Sequence, residues 1–168
     1  DRIFEAQRKA RGRLAATTAE ERIEKLRRLE RAMLDRRGEI RTALEADLRK
    51  SAQETDLTEI YAVVSEARHA RRHLRRWMKP RRVPTPLALI GSRSRIVHEP
   101  KGVVLIVAPW NFPVNLAFGP LVSAIAAGNA AIVKPSEVTP ASSACMRRIA
   151  ADLFPEDEVA VIEGDAEV

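Results

Sequence analysis

A chain of 168 residues with 45% hydrophobic content carries enough apolar mass for one ordinary core, which excludes a disordered tail or a fibrous repeat. Its formal charge of +6 is unevenly placed: residues 1–82 hold 23 Lys/Arg against 14 Asp/Glu, and residues 83–168 hold 6 against 9, so any affinity for polyanions belongs to the first half. Cys145 is the sole cysteine, no apolar run is long enough to span a membrane, and the start is not signal-like; an internal disulfide is excluded and a reducing, cytoplasmic setting is expected. The first residue is Asp1 rather than methionine, which points to residues missing upstream.

The first eighty residues read as helices. Thr18 with Glu21 forms a capping box, after which Ile23, Leu26, Leu29 and Met33 recur at helical spacing. Gly38 is expected to interrupt this helix, and Ile40, Leu44 and Leu48 continue an apolar stripe on a second one. Asp56 with Glu59 signals a third start. Leu57, Ile60, Tyr61, Val64, Leu74, Trp77 and Met78 are then expected to line one face, ending before Pro80 because a residue preceding proline disfavours the helical region.

The opposite face of that helix is basic: Arg68, Arg71, Arg72, Arg75 and Arg76. Five arginines within three turns can track phosphates. An exposed helix face needs charge in any case, and no aromatic side chains are interleaved for base stacking, so nucleic acid is not expected as a partner. His69 and His73 share a face at i and i+4, as metal ligands do, but no third ligand is evident and no metal is expected.

Between Pro80 and Pro100 the composition changes. Pro84 and Pro86 break helix, and runs at 87–90 and 95–97 flank the polar turn Gly91-Ser92-Arg93-Ser94, predicting a two-stranded hairpin. A lone hairpin is marginal in water, so it should add to another sheet or to a second subunit, unless it is a plain connecting ribbon.

Residues 102–137, GVVLIVAPWNFPVNLAFGPLVSAIAAGNAAIVKPSE, organise the rest. Six apolar residues after Gly102 suit a strand buried on both faces. Pro109 to Pro113 makes a rigid corner, residues 114–127 suit a buried helix, and Gly128-Asn129 ends it because both tolerate the left-handed conformation of a C-cap. A second run at 130–133 leads into Lys134-Pro135-Ser136-Glu137. A helix over about 141–154 and a third strand at 159–162 follow. The whole predicts an α/β chain in three units: N-terminal helices over 1–80, a hairpin arm over 81–100, and over 101–168 the first half of a doubly wound, Rossmann-like parallel sheet.

Right-handed crossovers place the loops after successive parallel strands beside each other, where open α/β sheets bind ligands. Trp110 and Asn111 are thereby neighbours of Lys134 and Glu137. A carboxylate and an ammonium suit the vicinal hydroxyls of a ribose, although an exposed ion pair has the same composition. The Asn111 amide can donate to an oxygen that gains negative charge, or bond its own backbone in a turn. No G-x-G-x-x-G occurs anywhere in the chain, so the usual pyrophosphate cradle is absent from these residues.

The motifs PWNFP at 109–113 and AAGNAAIVKPSE at 126–137, in this order and at this spacing, resemble the aldehyde dehydrogenase superfamily. The similarity covers most of the chain. The short helical N-terminus resembles the dimeric branch that oxidises fatty and aromatic aldehydes, coniferyl aldehyde dehydrogenases above all.

This resemblance implies an oxidoreductase taking an aldehyde to the acid through a cysteine-bound thiohemiacetal, with NAD or NADP as cofactor and a homodimer formed through the hairpin. It implies Asn111 as the side-chain donor of the oxyanion hole, Lys134 and Glu137 as ligands of the adenosine ribose, and Trp110 with the Ala108 backbone on the nicotinamide side. Glu137 favours NAD, because a carboxylate near the 2′ position repels a phosphate, with Lys134 partly offsetting this. The family's glycine-rich turn, general-base glutamate and nucleophilic cysteine lie further along than Val168.

Cys145, inside SSACMRRIA on an expected helix, reads as a packing residue rather than a nucleophile. The 168 residues alone are therefore expected to lack dehydrogenase activity. A non-catalytic dimerisation or scaffolding module is the alternative reading, with a basic nucleic-acid binder behind it.

Overall fold

The computed structural model describes residues 2–165; Asp1 and residues 166–168, the last of the unit expected over 101–168, lie outside them. The N-terminal segment comprises α1 (Arg2–Ala15), α2 (Ala19–Asp35), α3 (Arg37–Leu48) and α4 (Ala52–Thr55), the last running through a π-helical turn, Asp56–Ile60, into α5 (Tyr61–Trp77). The Thr18–Glu21 capping box is formed from both sides, Glu21 N–H donating to Thr18 Oγ1 and Thr18 N–H to the Glu21 carboxylate. Ile23, Leu26, Leu29 and Met33 are buried as expected.

Two expected boundaries move. The break between α2 and α3 falls at Arg36, not Gly38. Arg36 leaves helical geometry while its guanidinium bonds Glu39 at 2.8 Å and Asp152 at 2.7 Å, so the bend is pinned by side chains, whereas Gly38 is absorbed in the first turn of α3. The next helix starts at Ser51, not Asp56: Ser51 Oγ accepts from Glu54 N–H at 3.2 Å.

Asp56 is instead gripped by Arg37 and Arg41, each Nε at 2.8 Å, and these hydrogen bonds hold its carboxyl well below the usual carboxylate range. A depressed folded-state pKa contributes stability that is present above the ordinary value near ~3.9 and is lost as pH falls through the folded one. Unfolding midpoints measured below about pH 4 should therefore drop more steeply for the wild-type chain than for Asp56→Asn; equal slopes would remove Asp56 from the account.

The π turn also explains a misplaced stripe. One extra residue per turn rotates what precedes it, so Leu57 faces solvent, and Tyr61 does too. The buried face of α5 is Val63, Val64, Ala67, Ala70 and Leu74, and Trp77 is only partly covered. On the basic face, Arg68 and Arg71 both pair with Glu30 and Arg75 with Glu20, so three of the five arginines already have acidic partners on α2. His69, His73 and Trp77 stack as a ladder, with centroids 4.3 Å apart for the histidines and 5.7 Å for His73 and Trp77. Among the described residues no group of three or more His, Cys, Asp or Glu could hold a metal ion.

The hairpin pairs β1 (Arg81–Val83) antiparallel with β2 (Ser94–Ile96), Arg82 opposite Arg95. The run at 87–90, expected as a strand, is a 3₁₀ turn over Leu87–Leu89 with Leu87 and Ile90 exposed. Pro84 and Pro86 remove backbone donors there, pushing the pairing back to Arg81–Val83.

The remaining elements are β3 (Val103–Val107), α6 (Pro113–Ala127), β4 (Ala130–Lys134), α7 (Pro140–Leu153) and β5 (Val159–Val161). The three strands are parallel in the order β3-β4-β5, with α6 and α7 as the crossovers between them, which makes the chain α/β. Gly128 caps α6 at φ 83°, its N–H reaching Ala124 O and Ile125 O. The Arg22 guanidinium is buried over the same end, donating to Ala126 O at 3.1 Å and Ala15 O at 3.0 Å. A Cβ on Gly128 would meet that guanidinium at 2.5 Å.

One continuous core joins α2, α3 and α5 to α6, α7 and one face of the sheet, through Leu26, Met33, Leu44, Leu74, Phe118 and Val133 among others. The sheet's other face departs from expectation. Residues Val104 and Ile106 of β3 face the core, but Leu105 and Val107 are 65% and 67% exposed, so β3 is not buried on both faces. Helix α1 is spent on the amino ends of the strands: Ala10 and Leu14 pack on Val103 and Ala130, and Gln7 Nε2 bonds Ala131 O at 3.0 Å.

Candidate functional site

Register fixes which loops meet. Val107 pairs with Lys134, and the ladder continues one step to Ala108 N–H donating to Lys134 O at 3.0 Å. The loops after β3 and β4 therefore leave the sheet side by side. A groove of about 530 Å³ opens there, with Leu105, Val107, Ile132 and Ile162 as its apolar floor. Ala108, Lys134 and Glu137 line it as well.

Lys134 Nζ donates to Glu137 Oε2 at 3.0 Å. The Glu137 carboxyl lies below its ordinary value because its own backbone N–H and then Lys134 bond the charged form, so it is an ionised acceptor at neutral pH. A flat apolar floor with a neighbouring ammonium and carboxylate has the donor set that a base and its ribose need.

Trp110 and Asn111 stand outside this lining, on the corner after β3, and both are exposed. The Asn111 side-chain amide has no protein partner among the described residues, so it does not bond its own backbone. Its carbonyl does have one. Lys50, its side chain 8% exposed, donates through Nζ to Asn111 O at 2.8 Å and to Glu59 Oε1 at 2.5 Å, and Nζ lies 4.1 Å from the centre of the Phe112 ring. The Glu59 side chain is fully buried, and its Oε2 accepts from Val114 N–H at 3.1 Å and Asn115 N–H at 2.9 Å, the first free donors of α6 after Pro113.

Helix α7 begins in the same way. Asp47 accepts from Ala141 N–H at 3.1 Å and Ser142 N–H at 2.7 Å, immediately after Pro140. Neither helix has a side-chain cap from its own N-cap residue; each takes a carboxylate from the N-terminal helices instead. The consequence is electrostatic. A helix N-terminus after a parallel strand ordinarily welcomes phosphate, but here both positions already hold a carboxylate, so a pyrophosphate has no place at either.

Sequence reasoning missed Lys50, Glu59 and Asp47. It read Glu59 as part of a helix start, and the only available signal was a polar pair, Thr55 and Glu59, at i and i+4 on a face that turns out to be buried. Cys145 is buried in α7, and burial pushes its thiol up to about 12, the opposite of what a nucleophile needs. A second groove of about 410 Å³, between α5 and α6 around Leu74, Trp77 and Ser123, holds none of the residues at the strand ends.

The family model described as "Aldehyde dehydrogenase family" matches residues 1–168. The chain belongs to the aldehyde dehydrogenase family. A probable coniferyl aldehyde dehydrogenase of Caulobacter vibrioides is 41% identical over 170 residues, covering 99% of this chain and 35% of the relative. A 4,4'-diaponeurosporen-aldehyde dehydrogenase of Staphylococcus aureus is 42% identical over 87% of this chain and 32% of its own length. The substrate-bound structure of Staphylococcus aureus AldH superposes with a TM-score of 0.95 at 38% identity, covering 99% of this chain and 36% of that one. The chain thus spans about a third of the length of the aldehyde dehydrogenases it matches.

Proposed function

We propose that the full-length chain is an NAD(P)-dependent aldehyde dehydrogenase, acting on an aromatic aldehyde of the coniferyl type and converting it to the carboxylic acid through a cysteine thiohemiacetal. One observation carries this reading: an unpartnered Asn111 amide and a Lys134–Glu137 pair stand on neighbouring loops at the carboxyl ends of two paired parallel strands. The substrate class leans on relatives named for coniferyl aldehyde, at 41% and 40% identity.

The nicotinamide cofactor, when bound, supplies the hydride acceptor. In this chain Lys134 and Glu137 hold the ribose hydroxyls, Trp110 and the Ala108 backbone border the nicotinamide side, and Asn111 donates to the oxygen of the thiohemiacetal as its charge develops. The nucleophile comes from outside these residues, because Cys145 is neither exposed nor acidic. The 168 residues alone are inactive in this reading. The protein works in the cytoplasm as a homodimer joined through the hairpin arm, whose Leu87 and Ile90 are 87% and 86% exposed.

The test is reduction of NAD or NADP by purified full-length chain with coniferyl-type and aliphatic aldehydes; no reduction with any of them would sink the proposal. The ionised Glu137 disfavours a 2′-phosphate, so Glu137→Gln should raise the use of NADP relative to NAD by about fivefold. An unchanged cofactor ratio would show that the repulsion is not felt.

A further inference from the structure

The corner from Pro109 to Pro113 has few ways to move. Both prolines fix their own φ, which leaves the torsions of Trp110, Asn111 and Phe112 to decide where the Asn111 amide points. In the loop after β3, Trp110 and Asn111 are exposed and Phe112 is half-buried. The restraint comes from beneath. An ammonium has three donors, and Lys50 places two of them on Glu59 Oε1 and Asn111 O while its face meets the Phe112 ring.

Glu59 in turn holds the next two residues of the chain through Val114 N–H and Asn115 N–H, and Asn115 Nδ2 bonds Thr58 O at 3.0 Å. The peptide plane that follows the Asn111 side chain is therefore gripped by a buried ion pair seated in the helical segment. A lysine and a glutamate buried this far are hard to explain as packing, since an apolar pair of the same volume avoids the desolvation cost.

We propose that Lys50, seated by Glu59, is a positioning residue that fixes the Asn111 carbonyl and so aims the Asn111 amide at the reacting oxygen. This rests on the oxyanion role proposed above for Asn111. Lys50 touches neither substrate nor cofactor; its effect passes wholly through Asn111. Loss of the grip lets the amide wander by a fraction of an ångström to an ångström, a displacement that lowers catalytic rates by up to about 10²-fold without altering ground-state binding.

The experiment is a double-mutant comparison in the full-length enzyme with NAD and a coniferyl-type aldehyde: wild type, Lys50→Met, Asn111→Ala and both together. Lys50→Met should lower kcat between about ten- and a hundredfold, with NAD affinity and aldehyde KM within about twofold. In the Asn111→Ala background the same change should add less than about threefold, because its route of action is already gone. A side chain that merely stabilises the fold would lower kcat by the same factor in both backgrounds, and that result overturns the proposal.

A Lys50→Met enzyme at wild-type rate beside a slowed Asn111→Ala sinks the clamp alone. An Asn111→Ala enzyme at full rate sinks the oxyanion reading and the clamp with it. Where Lys50→Met does not fold, Lys50→Met/Glu59→Gln removes both charges together, keeps an amide oxygen for Val114 and Asn115, and enters the same comparison.

Discussion

The oxyanion role proposed for Asn111 predicts that in the full-length chain Asn111→Ala lowers kcat for aldehyde oxidation by about 10²–10³-fold while NAD affinity stays within about twofold. The loss belongs to kcat because a hydrogen bond to a developing oxyanion is worth little to the neutral aldehyde and much to the charged adduct. It spares NAD because Lys134 and Glu137, the residues proposed to hold the ribose, line a groove that Asn111 does not. The measurement is steady-state kinetics with equilibrium cofactor binding on the same preparations. A variant that loses KM instead of kcat would mean that Asn111 binds the ground state, and the oxyanion assignment would fall.

Glu59→Ala should destabilise the full-length protein by about 3–5 kcal/mol, the usual consequence of leaving one member of a buried ion pair alone. Three groups lose their partner at once: the Lys50 ammonium and the Val114 and Asn115 N–H groups. In a thermal melt of a protein about three times the length of these residues, this is a drop of roughly 3–5 °C. Glu59→Gln keeps an acceptor for the two N–H groups and should fall distinctly less. If both variants melt within about 2 °C of wild type, water or a rearranged side chain replaces the carboxylate and the buried pair is not a stabilising element.

Much of this was legible in the sequence, and the failures have physical causes. The strand-helix-strand unit was readable because its signals are local: an apolar run, a proline corner, a Gly-Asn cap that indeed adopts φ 83° and ties Gly102 N–H to Asn129 Oδ1 at 2.8 Å. Topology alone predicted that the loops after β3 and β4 are neighbours, and Ala108 N–H does bond Lys134 O, but Trp110 and Asn111, expected beside Lys134 and Glu137, stand outside the groove that those two line. Leu57 and Tyr61 were misplaced because a π turn has no sequence signature and shifts the helical register by a residue. Leu105 and Val107 read as buried because an apolar run states that something covers a strand face without saying whether the cover lies within these residues.

The roles of Lys50, Glu59 and Asp47 were invisible for another reason. Each meets its backbone partners dozens of residues away, and nothing in a string of letters distinguishes a carboxylate bound for a distant helix from one that stays in water.

The borrowed carboxylates also bear on how the chain reaches this state. The first turns of α6 and α7 are completed by groups 55 and 95 residues upstream, so neither helix can close its amino end by itself. Closing loops of that length precedes any gain from the contact, which ties the helical segment and the parallel sheet into one cooperative folding event rather than two successive ones. A polypeptide cut at the hairpin arm would part both helices from their acids, and the sheet so released would begin each of its crossovers with a frayed turn.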